Sequence, residues 1–152
     1  MIEAISGVVA AVVIIIVSRM LSRYFSARLM ATTILVAIAF IYVGFSLKDN
    51  PVSLIILEMA MALVLYFLAM IGYSRNSFLI AYGIIFHGVW DICHHNGYFI
   101  GTHIPGYWPS FCSIIDVIDG IYFLIIFRNQ KEAAILNQSV YQDHDVAQTA
   151  NF

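Results

Sequence analysis

Residues 77–95, SFLIAYGIIFHGVWDICHH, form an apolar run whose last nine positions carry three histidines and an aspartate. A run of about 20 residues is long enough to cross a bilayer as a helix. Ionisable side chains inside such a helix are costly, and they generally face a bundle interior or a water-filled cavity. The stretch therefore predicts a membrane helix with one polar, functional face.

The composition of the whole chain agrees with a membrane protein. Of its 152 residues, 62% are hydrophobic and 11% are charged, and the mean hydropathy is +0.90. A soluble domain of this length could not bury so much apolar surface in one core. The net charge of −2 and the lack of a basic cluster argue against nucleic acid as a partner. We expect the lipid bilayer to be the main partner.

Five apolar runs predict an all-α, five-transmembrane-helix bundle. The first run is expected to be a retained helix and not a signal peptide, because no basic residue precedes it. Residues 1–128 then form the transmembrane domain, and residues 129–152 form a polar cytoplasmic tail with a short helical extension followed by disorder. The predicted spans are residues 4–21, 29–47, 52–71, 77–95 and 109–127.

The basic residues predict how the bundle is oriented. Six of the seven fall on one side, and Lys48 alone falls on the other; the six are Arg19, Arg23, Arg28, Arg75, Arg128 and Lys131. The positive-inside rule places that side in the cytoplasm. We therefore expect a multi-pass protein of the cell membrane with its amino terminus outside and its carboxyl terminus in the cytoplasm.

With this orientation, three helices carry ionisable residues at one depth near the outer boundary. Glu58 lies near the outer start of the third helix, and Asp116 and Asp119 lie near the outer start of the fifth. At about 100° per residue, the acid and the histidines of the fourth helix share one arc. His103, in the outer loop, is predicted to cover this layer as a lid.

Charge neutralisation makes a metal the favoured occupant of this layer. No predicted helix interior contains a lysine or arginine that could pair with its four carboxylates. Protonation, histidinium partners or a bound cation are the remaining ways to offset their cost. A divalent cation neutralises two carboxylates and also accepts neutral imidazole as a ligand. A proton-coupled cavity and a purely structural hydrogen-bond network are the alternatives.

The residue types limit the metal and suggest a role for each side chain. Imidazole with carboxylate favours zinc, with iron or manganese as alternatives. Asp91 is predicted to orient a histidine, and Glu58 to act as general base or as a further ligand. Asp119 is expected to be a protonated structural acid, and Cys112 shares the Asp116 face. The predicted ligands are His87, His94, His95 and Asp116.

The segments HGVWDICHHNGYF, residues 87–99, and SFCSIIDVI, residues 110–118, resemble an integral-membrane family, domain of unknown function 6010. The resemblance has no activity attached to it, so it implies a grouping of residues and not a reaction. Val117 stands where many members have a proline, and the tail extends past the point where members end. The residues that match in order are His87, Trp90, Asp91, His94, His95, Gly97, Pro105, Cys112 and Asp116, with Glu58 at the position of an earlier acid.

Three functions fit these residues. The first is a membrane-embedded, metal-dependent hydrolase of a lipid-like or amphipathic molecule, since a site within the outer leaflet meets substrates that partition into the membrane. The second is a small metal- or proton-coupled transporter, although the inner halves of the helices offer no polar path. The third is an accessory subunit without catalysis. The oligomeric state is left open, a homo-oligomer included.

Overall fold

The computed structural model describes residues 2–97 and 99–149 of the chain, without the side chains of Asn96 and residues 140–149. These residues form six α-helices and a 3-10 turn, and the described part of the chain contains no strand. The predicted all-α fold class is therefore confirmed. The helices are α1 Ile2–Leu21, α2 Ala27–Ala39, α3 Ile41–Ser46, α4 Val52–Ser74, α5 Phe78–His94 and α6 Trp108–Thr149.

Four helical segments are long and apolar enough to cross a membrane, which indicates a membrane protein. They are Ile2–Leu21, Ala27–Ser46, Val52–Ser74 and Trp108–Ser139. The second joins α2 and α3 across a break at Phe40, where the backbone has φ −95° and ψ −1°. The fifth predicted span corresponds to α5, which is also apolar but has only 17 residues.

Helix α5 packs against α6, α4 and α2 and forms the centre of the bundle. Its apolar half belongs to a core that includes Leu35, Leu65, Ile84 and Phe123, all nearly or fully inaccessible. Helix α1 lies at the edge and packs mainly along α6. The polar half of α5 is therefore enclosed by neighbouring helices and does not face lipid.

The ends of the helices follow local sequence signals. Ser26 precedes α2, and its hydroxyl accepts a hydrogen bond from the Leu29 backbone N–H at 3.2 Å, as expected of an N-cap serine. Helix α5 ends at His94 because His95 turns to an extended backbone with ψ 119°. Gly97 follows with φ +68°, a conformation that glycine adopts without steric cost. The chain then enters the loop that leads to α6.

Helix α6 is longer than the predicted span at residues 109–127. It continues without interruption to Thr149, so that it includes the predicted helical extension and much of the predicted tail. Its 42 residues would measure roughly 63 Å, about twice the hydrocarbon thickness of a bilayer. Residues 150–152 of the tail lie outside the described residues, and the domain boundary at residue 128 stays a prediction.

Candidate metal centre

One face of α5 carries the polar residues that the sequence singled out. His87, Asp91 and His94 follow at spacings of four and three residues, which places them on the same side of a helix. All three are buried, with exposed fractions of 1%, 0% and 2%. The prediction of one enclosed polar face on this helix is therefore confirmed for these three residues.

A close approach of α5 and α6 brings the next carboxylate to this face. A Cβ atom on Gly88 would lie 3.2 Å from the Asp116 Cβ atom and 3.2 Å from the Ser113 backbone oxygen. Both distances are shorter than most contacts that a Cβ atom makes, so glycine at position 88 suits the close approach of the two helices. With glycine there, Asp116 Oδ2 lies 2.6 Å from His87 Nδ1.

His87, Asp91 and Asp116 form a group that could hold a metal ion. Each offers one donor atom, and these atoms lie within 4.8 Å of one another. His87 Nδ1 is also 3.7 Å from Asp91 Oδ1. Both carboxylate oxygens of Asp91 and the Nε2 atom of His87 are buried without a geometrically acceptable hydrogen-bond partner. Buried polar atoms are normally satisfied, so this group has unused coordinating capacity.

A second polar cluster lies one helical turn further along α5, around Glu58 of α4. Glu58 Oε1 is 2.7 Å from His94 Nε2 and accepts a hydrogen bond from the Thr102 hydroxyl, also at 2.7 Å. The indole N–H of Trp90 donates to Glu58 Oε2 at 3.3 Å. We call Glu58, Trp90, His94 and Thr102 the Glu58 cluster.

The hydrogen bonds of His94 define where its protons are. Its Nδ1 atom lies 3.0 Å from the Trp90 carbonyl oxygen, and a carbonyl only accepts, so Nδ1 carries a proton. The short contact between Nε2 and Glu58 then requires one further proton, held by the imidazole or by the carboxyl group. Both side chains of the pair are nearly inaccessible.

The structure brings together some of the predicted site residues and separates others. His87 and Asp116 meet, and Asp91, predicted to orient a histidine, lies in the same group. His94 is directed to Glu58 instead. His95 leaves the helical face, because α5 ends before it, and its Nδ1 atom lies 3.1 Å from the Ser110 hydroxyl. The assignment of His94 and His95 as ligands stays a prediction.

The remaining candidates surround the group or lie apart from it. Asp119 is fully buried, three residues deeper along α6, and both of its oxygens lack a hydrogen-bond partner. Cys112 is a buried free thiol on the same helix. His103 lies away from the group, since its Nδ1 atom contacts the Asp49 carbonyl oxygen at 3.0 Å. Its neighbour Thr102 is buried and reaches Glu58.

Sequence reasoning missed two residues of the site. The Tyr42 ring, on α3, stacks on His94 with ring centroids 4.2 Å apart and lies 5.8 Å from the His87 ring. It therefore bridges the metal group and the Glu58 cluster. Only the position of Tyr42 in the outer part of a predicted span could have indicated this role. The sequence does not indicate the role of Thr102, because a loop has no helical period from which an inward-facing residue could be predicted.

Replacing Thr102 by valine should destabilise the attachment of the loop between α5 and α6 to Glu58. The isosteric change removes the hydroxyl that donates to a buried carboxylate, and we expect a loss of about 1–3 kcal/mol in the free energy of unfolding. Thermal unfolding in detergent measures the effect. Thr33→Val is the matched control, since the exposed Thr33 hydroxyl donates a hydrogen bond to the Leu29 carbonyl oxygen within its own helix and contacts no buried carboxylate. Equal stability of the two variants would show that the loop is not anchored through Glu58.

The model of a family of unknown function, DUF6010, matches residues 2–129, which include every residue of the metal group and of the Glu58 cluster. No curated protein and no solved structure matches the chain.

Proposed function

The chain belongs to DUF6010, a family of unknown function, and we propose that it is a metal-dependent hydrolase of the cell membrane. In this proposal, His87, Asp91 and Asp116 hold one divalent metal, and the substrate is a lipid-like or amphipathic molecule. Glu58 and His94 exchange the proton that hydrolysis requires.

The net charge of the metal group is the main support for a bound divalent cation. Two carboxylates and one imidazole offer donor atoms within 4.8 Å of one another. Among the described residues, Asp91 and Asp116 each form an ion pair with His87 and with no other side chain. A protonated His87 would leave a net charge of −1 in a buried site. One divalent cation with neutral imidazole brings the group to zero charge, which removes much of the cost of burying the two acids.

The donor atoms narrow the choice of metal. Zinc accepts both imidazole nitrogen and carboxylate oxygen, and three protein ligands would leave a fourth position for water. Iron and manganese accept the same donors. Such an ion lowers the pKa of bound water to about 7 and polarises a carbonyl group.

The Glu58 cluster supplies the groups for proton transfer. During hydrolysis of an ester, the oxygen of water adds to the carbonyl carbon while its proton passes to Glu58. The bond from that carbon to the ester oxygen then breaks, and the departing alcohol takes the proton back from the Glu58–His94 pair. Glu58 and His94 are hydrogen-bonded at 2.7 Å, and the Tyr42 ring contacts both the His94 ring and the His87 ring.

Burial within an apolar bundle limits the substrate. The metal group is almost inaccessible to water, and Thr102 fixes the outer loop over the neighbouring cluster. A substrate that partitions into the bilayer could reach this depth, whereas a water-soluble one would have to leave its hydration shell. The proposed substrate is therefore amphipathic.

Metal content and ester hydrolysis test the proposal together. Protein purified without chelator should contain about one zinc, iron or manganese ion per chain, measured by elemental mass spectrometry. It should hydrolyse long-chain fluorogenic esters in micelles, and a chelator should abolish this activity. Glu58→Gln should reduce the rate by about 100-fold or more while the metal remains bound. A metal-loaded protein that hydrolyses none of a panel of acyl esters and amides would contradict the catalytic part.

The proposed orientation has its own test. We expect the loop between α5 and α6 to face outward, so Gly106→Cys should react with an impermeant thiol reagent in intact cells. Position 106 suits the label because it is exposed and a Cβ atom there meets no neighbour within 4 Å. Arg75→Cys should react only after the cells are opened. Both variants are made with Cys93→Ser, since Cys93 is half-buried and Cys112 is buried. The reverse pattern of labelling would invert the topology.

A transporter is the second candidate, and Asp119 favours it. This buried acid without a hydrogen-bond partner continues the line of carboxylates from Asp116 deeper into the bundle. In a carrier of protons or metal ions, Asp119 would be the next binding position after Asp116. Ion flux in proteoliposomes that depends on Asp119, without ester hydrolysis, would favour transport over catalysis.

A further inference from the structure

Tyr42, on α3, is a buried tyrosine whose hydroxyl the fold leaves without a hydrogen bond. The residue is almost inaccessible, and its hydroxyl oxygen has no hydrogen-bond partner among the described residues. Buried tyrosines usually hydrogen-bond through this group, and a buried polar atom without a partner costs free energy. Phenylalanine would fill the same space without that cost, so the hydroxyl itself needs an explanation.

Aromatic contacts fix the orientation of the Tyr42 ring. It lies nearly parallel to the His94 ring of α5, at an interplanar angle of 22° with centroids 4.2 Å apart. On α3 itself, the Phe45 ring lies 6.4 Å from Tyr42. Phe45 in turn packs edge-on against Trp108 at the start of α6, with centroids 5.3 Å apart. A ring held by such neighbours presents its hydroxyl at a defined point.

The Tyr42 hydroxyl is directed at the metal group. It interacts with the Asp91 carboxylate and, more weakly, with Asp116, and its ring lies 5.8 Å from the His87 ring. The two Asp91 oxygens are not in hydrogen-bonding geometry with the hydroxyl, and they too lack a partner among the described residues. Tyr42 therefore offers a hydrogen-bond donor that is not yet used, beside the atoms that could hold a metal.

We propose that Tyr42 is a catalytic residue whose hydroxyl donates a hydrogen bond to the carbonyl oxygen of the substrate. This inference rests on the proposed hydrolase function. As the oxygen of water adds to the carbonyl carbon, one electron pair of the C=O bond moves to the carbonyl oxygen, which becomes negative. A donor that is already in place stabilises this charge without reorganisation. When the bond to the ester oxygen breaks, the electron pair returns, and the hydroxyl keeps its proton throughout.

The position of Tyr42 also relates the two clusters of the site to one reacting group. Its hydroxyl faces the metal group, and its ring stacks on His94, which is hydrogen-bonded to Glu58. A carbonyl oxygen bound by this hydroxyl would hold its carbon near the pair that exchanges the proton. Such positioning is a large part of what an enzyme contributes to hydrolysis. The role assigned to Tyr42 accounts for a buried hydroxyl that contributes nothing to folding.

Tyr42→Phe tests the inference, because it removes the hydroxyl and keeps the ring. We expect kcat for long-chain fluorogenic esters to fall by about 100-fold or more, with KM and metal content at wild-type values. The melting temperature in detergent should be unchanged or higher, since the hydroxyl has no partner to lose. A hydroxyl with a merely structural role would lower stability instead. Tyr82→Phe, at an exposed position of α5, is the control and should change neither quantity.

Binding of a charged analogue gives a second readout that does not depend on turnover. Methyl dodecylphosphonate carries a tetrahedral, negatively charged group at the position of the reacting carbon. Calorimetric titration in detergent should show that Tyr42→Phe binds it about tenfold or more weakly than wild type, as expected for a lost hydrogen bond to a charged group. Dodecanol, which is neutral, should bind both proteins equally.

The outcomes separate this inference from the proposed function. Equal phosphonate affinity in wild type and Tyr42→Phe would overturn the role of Tyr42, whether or not the protein hydrolyses esters. A wild-type kcat in Tyr42→Phe would overturn it too and would leave the proposed hydrolase function intact. A wild-type protein that binds the phosphonate through Tyr42 but hydrolyses no ester would support the hydrogen bond and contradict the proposed function alone.

Discussion

Asp116→Asn should reduce the metal content of the purified protein to about a tenth or less of the wild-type value, a typical cost of disturbing a metal site. Asparagine keeps the size and a hydrogen-bonding oxygen but removes the negative charge. Asp116 is the member of the metal group that comes from α6, and its carboxylate lies 2.6 Å from His87. Without that charge, the site has one carboxylate and one imidazole, too little to retain a divalent ion through purification.

The stability of the same variant distinguishes a metal site from a metal-free acid pair. If a metal is bound, losing it removes binding free energy from the folded state, so the melting temperature should fall. If no metal is bound, a chelator should leave the melting temperature of the wild type unchanged, whatever Asp116→Asn costs through its lost contact with His87 at 2.6 Å. Thermal unfolding with and without chelator therefore distinguishes the two cases.

Substitutions of two histidines test whether both are needed for metal binding. His95→Gln should keep its metal, because His95 lies beside Ser110 and outside the metal group. His87→Gln should lose it. Equal metal in wild type, Asp116→Asn and His87→Gln would end the metal proposal, and loss in His95→Gln would show that the sequence-based ligand set was the better one.

Gly120→Val should disrupt the packing of α5 on α6 and lower the free energy of unfolding by about 1–3 kcal/mol or more. A Cβ atom at position 120 would overlap Ile85 Cγ1 and would lie 3.1 Å from the Ala81 backbone oxygen. The Ile85 side chain can rotate, but the Ala81 backbone cannot move without displacing α5. Because His87 is on α5 and Asp116 is on α6, separating the helices should also lower metal content.

Gly44→Ala is the control for this variant. Position 44 lies inside α3, and a Cβ atom there meets no neighbour within 4 Å. Alanine is favoured over glycine within a helix, so the melting temperature should be unchanged or slightly higher. Circular dichroism during heating in detergent measures both variants. A Gly120→Val protein as stable as Gly44→Ala would mean that α5 and α6 do not approach as closely as the structure indicates.

Much of the candidate site follows from the order of residues along single helices. The face that carries His87, Asp91 and His94 is set by the helical period, and their enclosure follows from the cost of placing ionisable groups against lipid. His95 marks the limit of this reasoning. The period places it beside His94, but the helix ends there and its backbone becomes extended, so its side chain takes another direction.

The sequence by itself determined an all-α membrane protein with acids and histidines enclosed in the bundle, because hydropathy and helical period are local properties. Only the tertiary structure decided the partners. It joined His87 to Asp116, His94 to Glu58 and Thr102 to the same carboxylate. Such pairs depend on how closely helices approach, and this depends on contacts such as those of Gly88 with α6. Contacts between segments distant in sequence leave no periodic pattern in either one.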